Sequence, residues 1–189
     1  MTLDDMAWKL SYRCDPVAAS LADRHYSRQT IGSPQFVPPG RCMVLVSRCS
    51  RAVWVTSWPF AEYTRHQWAG AWVCSMFRNE GAGLSSELIR QAVAVTCWYH
   101  RNGPASWTTH REPELGMITF VWPAKIRSSN PGYCYQRAGW RKVGKSKELE
   151  LPCFQLQLSE MPEPQQPIGS TASLLSALHH PSLDTEPHQ

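Results

Sequence analysis

The sequence lacks several features that would place it in common protein classes. It contains no run of roughly 18 apolar residues, so we expect no helix that crosses a membrane. Its first ten residues, MTLDDMAWKL, contain no apolar segment of the signal-peptide kind, and we therefore expect a cytoplasmic protein. The seven cysteines never form a C-x-x-C pair, which argues against a zinc ribbon or a disulfide framework, and we expect no metal site.

Positive charge is missing from the end of the chain. All nineteen Lys and Arg residues lie between Lys9 and Lys147, whereas six of the fifteen acidic residues follow Lys147. A basic body of this kind suggests a polyanionic partner, although an ordinary solvated basic surface fits equally well.

The pattern of elements predicts one domain over residues 1–158, followed by a disordered acidic tail rich in Pro and Ser over 159–189. Alternating short strands and helices predict an α/β fold with a mixed, mostly antiparallel central sheet and flanking helices. Asp15 and Pro16 provide the cap and first position of one helix, and a second helix follows the segment RNEGAG.

The segment RNEGAG has the form R-x-x-G-x-G and lies between a predicted strand and a predicted helix. Glycines allow successive backbone N–H groups to point at one place, and the helix dipole adds positive potential there. No G-K-[ST] follows and a third glycine is missing, so the segment is neither a P-loop nor a dinucleotide fingerprint. A tight turn without a ligand is the alternative reading.

A second motif lies downstream, where Tyr135 precedes Gly139 and Trp140 in the pattern Y-x-x-x-G-W. Together with R-x-x-G-x-G and the short strand MITFV, this motif resembles the GCN5-related N-acetyltransferase (GNAT) superfamily over residues 70–158. In one departure, Asn130 lies five residues before Tyr135, where the family usually has an Asn about seven residues before it.

The GNAT resemblance implies a splayed cleft between two strands that binds acyl-coenzyme A. It implies that Tyr135 protonates the departing thiolate, unless this tyrosine only packs at a helix end. It also implies that backbone N–H groups near Cys74 to Met76 hold the thioester carbonyl. The cofactor-binding residues expected on this basis are Cys74, Met76, Arg78, Asn79, Glu80, Gly81, Ala82, Gly83 and Leu84.

The acceptor site is expected in residues 21–41, where His25, Tyr26 and Ser27 follow the first helix. His25 is a candidate general base and Tyr26 a candidate for stacking on a base, unless the two only cap the helix and pack in the core. The RHYS segment on a compact GNAT-like domain is similar to phage Mom-type DNA modification proteins. That similarity implies acyl-derived modification of the exocyclic amine of adenine in DNA, with His25, Tyr26 and Ser27 as catalytic candidates.

DNA as partner would require basic and aromatic residues near the cleft and a flipped base. The long loop from His100 to Gly116 is one candidate contact, and the segment after MITFV is another, although its basic residues could instead bind the adenosine phosphate of coenzyme A. The candidate nucleic-acid contacts are Arg28, Arg41, Arg101, Trp107, Arg111, Lys125 and Arg127.

Two other functions remain compatible with the sequence. One is an N-acetyltransferase for a small-molecule or protein amine, which would require an acidic rather than a basic acceptor segment. The other is a non-catalytic nucleic-acid-binding module on a GNAT-like frame, which the intact Gly81 and Gly83 disfavour. GNAT-like domains often pair, so a homodimer is left open.

Overall fold

The computed structural model describes residues 6–58, 67–103 and 112–169. Within these ranges the chain forms strands, α-helices and two short 3-10 turns, and the sequence pattern predicted the approximate places of α1, β4, α2 and β5. The elements are β1 (Trp8–Ser11), α1 (Pro16–Asp23), β2 (Arg41–Ser47), β3 (Ala52–Trp58), β4 (Trp72–Asn79), α2 (Ser85–Asn102), β5 (Met117–Phe120), α3 (Tyr133–Arg137), β6 (Arg141–Lys145) and β7 (Pro152–Leu156), with the 3-10 turns at Pro123–Lys125 and Leu158–Glu160.

The strands form one seven-stranded sheet in the order β1-β2-β3-β4-β5-β7-β6. Neighbouring strands are antiparallel except β4 and β5, which are parallel because α2 connects them. The predicted α/β class with a mostly antiparallel sheet is therefore confirmed.

The parallel pair β4 and β5 is very short. Trp72 pairs with Met117 and Val73 with Ile118. From Cys74 onward, β4 pairs with no β5 residue in the part of the chain that the structure describes. On its other side β4 contains a bulge, because Val55 of β3 pairs with Met76 and Thr56 pairs with Cys74, so that Ser75 is an extra residue. The centre of the sheet thus opens beside an irregular strand.

Helix α1 covers one face of the sheet. The Asp15 side chain caps the helix by accepting a hydrogen bond from the N–H of Val17 at 2.7 Å, as the Asp-Pro pair predicted. Leu21 is buried against alternate residues of β2 and β3, including Val44 and Val55. Because every second residue of these strands points toward α1, those residues must be apolar.

Helices α2 and α3 cover the opposite face. Trp54 of β3 and Met43 of β2 point to this side, where they join Ile89 and Val93 of α2 in the larger apolar cluster. The indole N–H of Trp8 donates to the carbonyl of Leu88 at 2.9 Å, so the edge strand β1 is tied to α2. Both faces of the central strands are therefore buried, and the sheet positions β4 rigidly.

The chain continues as ordered structure beyond the predicted boundary at residue 158. Met161 and Ile168 pack against the larger apolar cluster. The N–H of Gln165 donates to Ala94 in α2 at 3.1 Å, and the N–H of Ile168 donates to Trp8 in β1 at 2.9 Å. The boundary at 158 is therefore wrong, because residues 159–169 belong to the folded part. The rest of the predicted tail, 170–189, lies outside the described residues.

Helix α2 is the longest helix among the described residues. No helix in those ranges is both long enough and apolar enough to cross a membrane.

Candidate functional site

The side chain of Asn79 organises the glycine turn after β4. Its Oδ1 accepts hydrogen bonds from the N–H groups of Gly81 at 3.1 Å and Ala82 at 2.9 Å. Its Nδ2 donates to the carbonyl of Gly83 and to Ser85 Oγ, both at 2.9 Å. Asn79, predicted as a cofactor contact, thus shapes the turn, and the first two glycine-turn N–H groups are engaged within the protein.

The N–H groups that follow in the turn lie at the start of α2. Leu84 caps this helix without a side-chain hydrogen bond. The N–H groups of Gly83, Leu84, Ser85 and Ser86 bond no acceptor among the described residues. Gly81 and Gly83 have φ values of 84° and 152°, which favour glycine. The turn can therefore bind an anion through the last part of the motif, and Leu84 itself is 68% exposed beside it.

The side chains of Arg78 and Glu80 connect the turn to α1. Arg24 donates to the Glu80 carboxylate through Nε at 2.7 Å and Nη2 at 2.9 Å, and Arg78 Nε donates to it at 3.0 Å. Arg78 Nη1 also donates to the carbonyl of Arg24 at 2.8 Å. The hydrogen bond from Arg24 is the main reason that the pKa of Glu80 is lowered. Both side chains, predicted as cofactor contacts, are occupied by this ionic cluster.

Arg51, which the sequence analysis did not single out, lies against the same turn. Its Nε donates to the carbonyl of Glu80 at 2.9 Å, and the N–H of Glu80 donates to the carbonyl of Arg51 at 2.8 Å. A Cβ added to Gly81 would lie 2.7 Å from Arg51 Nη2. Arg51 lies against the turn because the β3–β4 register pairs its neighbour Ala52 with Asn79. That register depends on the bulge in β4, so the position of Arg51 could not be predicted from the sequence.

Tyr135 is buried beside β4. Its Oη lies 3.5 Å from Sγ of Cys74, and its ring packs against Trp140 and Phe154. Burial raises the pKa of Tyr135 well above its usual value and raises the pKa of Cys74 to about 12. Both groups are therefore protonated at neutral pH, and the phenol can donate a proton.

The gap between β4 and β5 is bridged by a side chain. Thr119 Oγ1 donates to the carbonyl of Cys74 at 2.9 Å, where the two strands no longer pair. Tyr26 Oη lies 3.5 Å from the carbonyl of Phe120, and burial raises the pKa of Tyr26 to about 12. Tyr26 and Tyr135 both line a cavity of about 310 Å³, which we call the tyrosine cavity.

Two further cavities continue from this point. The first, of about 390 Å³, is lined by Tyr26, Cys74 and Ser75 and is called the strand cavity. The second, of about 560 Å³, is called the loop cavity and is lined by Met76 and by residues of the segment 27–39. Tyr26 is common to the tyrosine and strand cavities, and Ser27 and Ser75 are common to the strand and loop cavities. The predicted catalytic residues Tyr26, Ser27 and Tyr135 thus lie along one path beside β4.

His25 lies behind this path and contacts Ser27. The two atoms His25 Nδ1 and Ser27 Oγ are 2.7 Å apart, and the N–H of Ser27 donates to the same nitrogen at 3.2 Å. The imidazole ring lies 4.2 Å from the ring of Tyr26. Burial, with a smaller contribution from Arg78, lowers the pKa of His25 to about 4, so the ring is neutral at neutral pH.

Arg28, which was predicted to contact DNA, has a structural role within the protein. Its side chain is 5% exposed and forms an ion pair with Asp23 at 2.7 Å. Nη1 donates to the carbonyl of Gln35 at 2.7 Å, and another nitrogen donates to the carbonyl of Ser33. The N–H of Gly32 donates to Asp23 at 3.0 Å. These bonds hold the wall of the loop cavity, and they leave little of the guanidinium available to a phosphate.

The other predicted nucleic-acid contacts are separated in the structure. Lys125 and Arg127 are exposed just after β5, on either side of Ile126, which lines the tyrosine cavity. Arg101 is exposed at the end of α2, with Nη2 3.8 Å from Glu112, while Arg41 is half-buried at the start of β2. The predicted contacts Trp107 and Arg111 lie outside the described residues.

Within the described ranges, no group of three or more His, Cys, Asp or Glu side chains is arranged to hold a metal ion. Comparison of the chain with protein-family models, curated proteins and solved structures found no match. Any assignment of activity must therefore be argued from the site itself.

Proposed function

We propose that the protein is an acyl-coenzyme A-dependent transferase that modifies the exocyclic amine of a nucleobase in DNA, adenine in the first instance. The observation that carries this proposal is the opening between β4 and β5 after two paired positions. A glycine turn and a helix N-terminus lie at the far end of β4, and three cavities that share lining residues lie beside it.

The chain offers a suitable environment for acyl-coenzyme A, which is a substrate in this reaction. The N–H groups of Gly83 and Leu84 and of the first turn of α2 would bind the pyrophosphate. The opening between β4 and β5 would admit the pantetheine arm, as the GNAT resemblance implies. Because Arg78 and Glu80 are engaged with α1, we assign pyrophosphate binding to backbone groups of the turn rather than to these side chains.

Acyl transfer requires groups that stabilise the carbonyl oxygen and protonate the leaving thiolate. Ser75 is the extra residue of the β4 bulge, so its backbone lies opposite no residue of β3. Backbone N–H groups at this bulge would hold the thioester carbonyl. Tyr135, protonated and 3.5 Å from Cys74, would supply the proton to the thiolate.

The loop cavity favours a neutral acceptor. The polar side chains around it include Ser27, Gln29, Thr30 and Gln35, and among the residues that the structure describes its lining contains Arg28 but no Asp or Glu. A cationic amine would need a carboxylate partner on desolvation. The exocyclic amine of a nucleobase is uncharged, and the hydroxyl and amide groups can bond its edge. A volume of about 560 Å³ suits such a ligand.

DNA as the carrier of this base is supported by Lys125 and Arg127, which are exposed on either side of Ile126, a residue that lines the tyrosine cavity. The exocyclic amine of a paired base lies inside the duplex, so the base must be flipped into the loop cavity. The resemblance to Mom-type proteins supports the same substrate.

Mass spectrometry of nucleosides tests the proposal. Plasmid DNA would be isolated from cells that express the protein, digested and compared with DNA from empty-vector cells. We expect a heavier deoxyadenosine, whose mass gives the transferred group. The Gly81→Trp variant should abolish this product, because the side chain would cover the turn that binds pyrophosphate.

Gly70→Trp is the matched control. Gly70 has a φ of 93°, close to the 84° of Gly81, but no atom lies within 4 Å of its Cβ position. Both variants therefore carry similar backbone strain, and only one changes the turn. Unmodified DNA together with a rise in melting temperature on addition of acetyl-coenzyme A would redirect the proposal to a small-molecule or protein amine. No thermal response to coenzyme A would exclude the acyltransferase.

A further inference from the structure

The hydrogen bonds of His25 define which of its two ring nitrogens carries the proton of the neutral imidazole. A backbone N–H can only donate, so the bond from the Ser27 N–H at 3.2 Å shows that His25 Nδ1 is an acceptor. The Ser27 hydroxyl, 2.7 Å from the same nitrogen, must then donate to it as well. The neutral imidazole consequently carries its proton on Nε2, and the lone pairs of Ser27 Oγ point away from the ring.

The surroundings of the pair keep the imidazole in its neutral form, which can accept a proton. His25 is buried at the end of α1 with the ring of Tyr26 against it, and it is uncharged at neutral pH. A serine hydroxyl donating to a neutral, water-excluded imidazole is the arrangement that makes serine a nucleophile.

Ser27 also lies where both reactants can reach it. It lines the strand cavity, together with Cys74 and the bulged Ser75, and it lines the loop cavity on the other side. The first of these cavities adjoins the thioester position of the proposed function, and the second is the acceptor position. Ser27 thus lines both the proposed donor position and the proposed acceptor position.

We propose that Ser27 is the nucleophile of a two-step transfer, in which it carries the acyl group as an ester between coenzyme A and the acceptor, with His25 as its base. This inference rests on the proposed acyltransferase function and adds a covalent intermediate to it.

Each step balances without an outside oxidant or reductant. In the first step, Ser27 Oγ attacks the thioester carbonyl carbon and its proton passes to His25 Nδ1. The carbon–sulfur bond then breaks, Tyr135 gives its proton to the leaving thiolate, and the proton held by His25 returns through solvent to the Tyr135 phenolate. In the second step, the acceptor nitrogen attacks the ester carbon and gives a proton to His25. The bond to Oγ breaks, Oγ takes the proton from His25, and the product is an amide.

Isotope exchange tests this route without any acceptor. Labelled coenzyme A is incubated with acetyl-coenzyme A and the full chain, and the label entering acetyl-coenzyme A is measured. A reversible acyl-serine step requires exchange, whereas direct transfer to the acceptor forbids it. We expect exchange with the wild type, at least a tenfold loss with Ser27→Ala, and intact-protein mass spectrometry that locates an acyl group on Ser27.

Ser20→Ala provides the matched control. Ser20 is an exposed serine of α1 that bonds Arg24 and lines none of the three cavities, so exchange should be unchanged. A thermal-shift measurement with coenzyme A distinguishes failure of the serine intermediate from failure of the acyltransferase function. If the wild type binds coenzyme A but shows neither exchange nor acylation of Ser27, only the serine intermediate is overturned. If the wild type does not bind coenzyme A, the acyltransferase function fails and the intermediate with it.

Discussion

The thiol of Cys74 and the phenol of Tyr135 lie 3.5 Å apart, although 61 positions separate them in the chain. This contact joins the unpaired part of β4 to the short helix α3. Cys74 also accepts a hydrogen bond on its carbonyl from Thr119 of β5. At the opening between β4 and β5, Cys74 therefore contacts one side chain from α3 and one from β5. These contacts position Tyr135.

Tyr135→Phe should lower turnover by about a hundredfold while leaving coenzyme A affinity nearly unchanged. The ring contacts with Trp140 and Phe154 do not involve the hydroxyl group, so the free energy of unfolding should fall by no more than about 1 kcal/mol. Steady-state rates and thermal shifts with coenzyme A measure the two effects. Tyr99→Phe, which removes another buried phenol outside the three cavities, is the control. Equal rates for Tyr135→Phe and the wild type would remove its role as acid.

The sequence predicted those parts of the fold that depend on local pattern. The short, mostly apolar segments CMVLVS and AVWVTSW predict β2 and β3, and the Asp15-Pro16 pair predicts the start of α1. The R-x-x-G-x-G segment correctly predicted a turn between a strand and a helix. Each of these features is determined by neighbours in the chain, so one sequence is sufficient to find it.

The partners of charged side chains could not be predicted in the same way. Arg78 and Arg51 are both arginines near strand ends, but only the strand register reveals that Arg78 bonds α1 while Arg51 lies on the turn. Arg28 looks like a surface residue until the loop folds over it. Residues 159–169 have the Pro-rich composition of a disordered tail, yet backbone hydrogen bonds to α2 and β1 hold them. Long-range contacts decide the first and third cases, and the conformation of the loop that follows α1 decides the second.

Arg28→Lys should weaken acceptor binding more than coenzyme A binding. Lysine cannot reproduce the forked contacts to Asp23 and to the carbonyls of Ser33 and Gln35, so the wall of the loop cavity should loosen. We expect KM for DNA to rise by about tenfold and the free energy of unfolding to fall by roughly 1–3 kcal/mol. Arg48→Lys changes an exposed arginine in the turn between β2 and β3 and should alter neither quantity. A rise in the Kd of coenzyme A with no change in KM would contradict the assignment of the loop to the acceptor.

Shortening the chain tests the revised boundary of the folded part. A chain that ends after Leu158 loses the contacts of Met161 and Ile168 with the core and the bonds to Ala94 and Trp8. Relative to a chain that ends after Gly169, its free energy of unfolding should be lower by roughly 2–4 kcal/mol. Urea denaturation of the two proteins provides the comparison. Equal midpoints would mean that the segment lies on the fold without stabilising it.

His25 should make the stability of the protein depend on pH in a defined window. Its pKa is about 4 in the folded protein, against the usual 6.5, because the neutral ring is buried. Between these values the unfolded chain binds a proton that the folded chain does not, so protonation favours unfolding. The contribution of His25 is complete above pH 6.5, is lost as the pH falls toward 4, and is constant below that.

From pH 7 to pH 5 this effect amounts to about 2 kcal/mol. Carboxylates with lowered pKa values, such as Glu80 and Asp23, add their own acid dependence, so the measurement must isolate His25. His25→Asn keeps an acceptor near Ser27 but does not titrate. The difference in unfolding free energy between wild type and variant, followed by urea denaturation, should therefore decrease by about 2 kcal/mol across this range. Parallel curves would mean that the pKa of His25 is the same in the folded and the unfolded protein, so that burial does not hold the ring neutral.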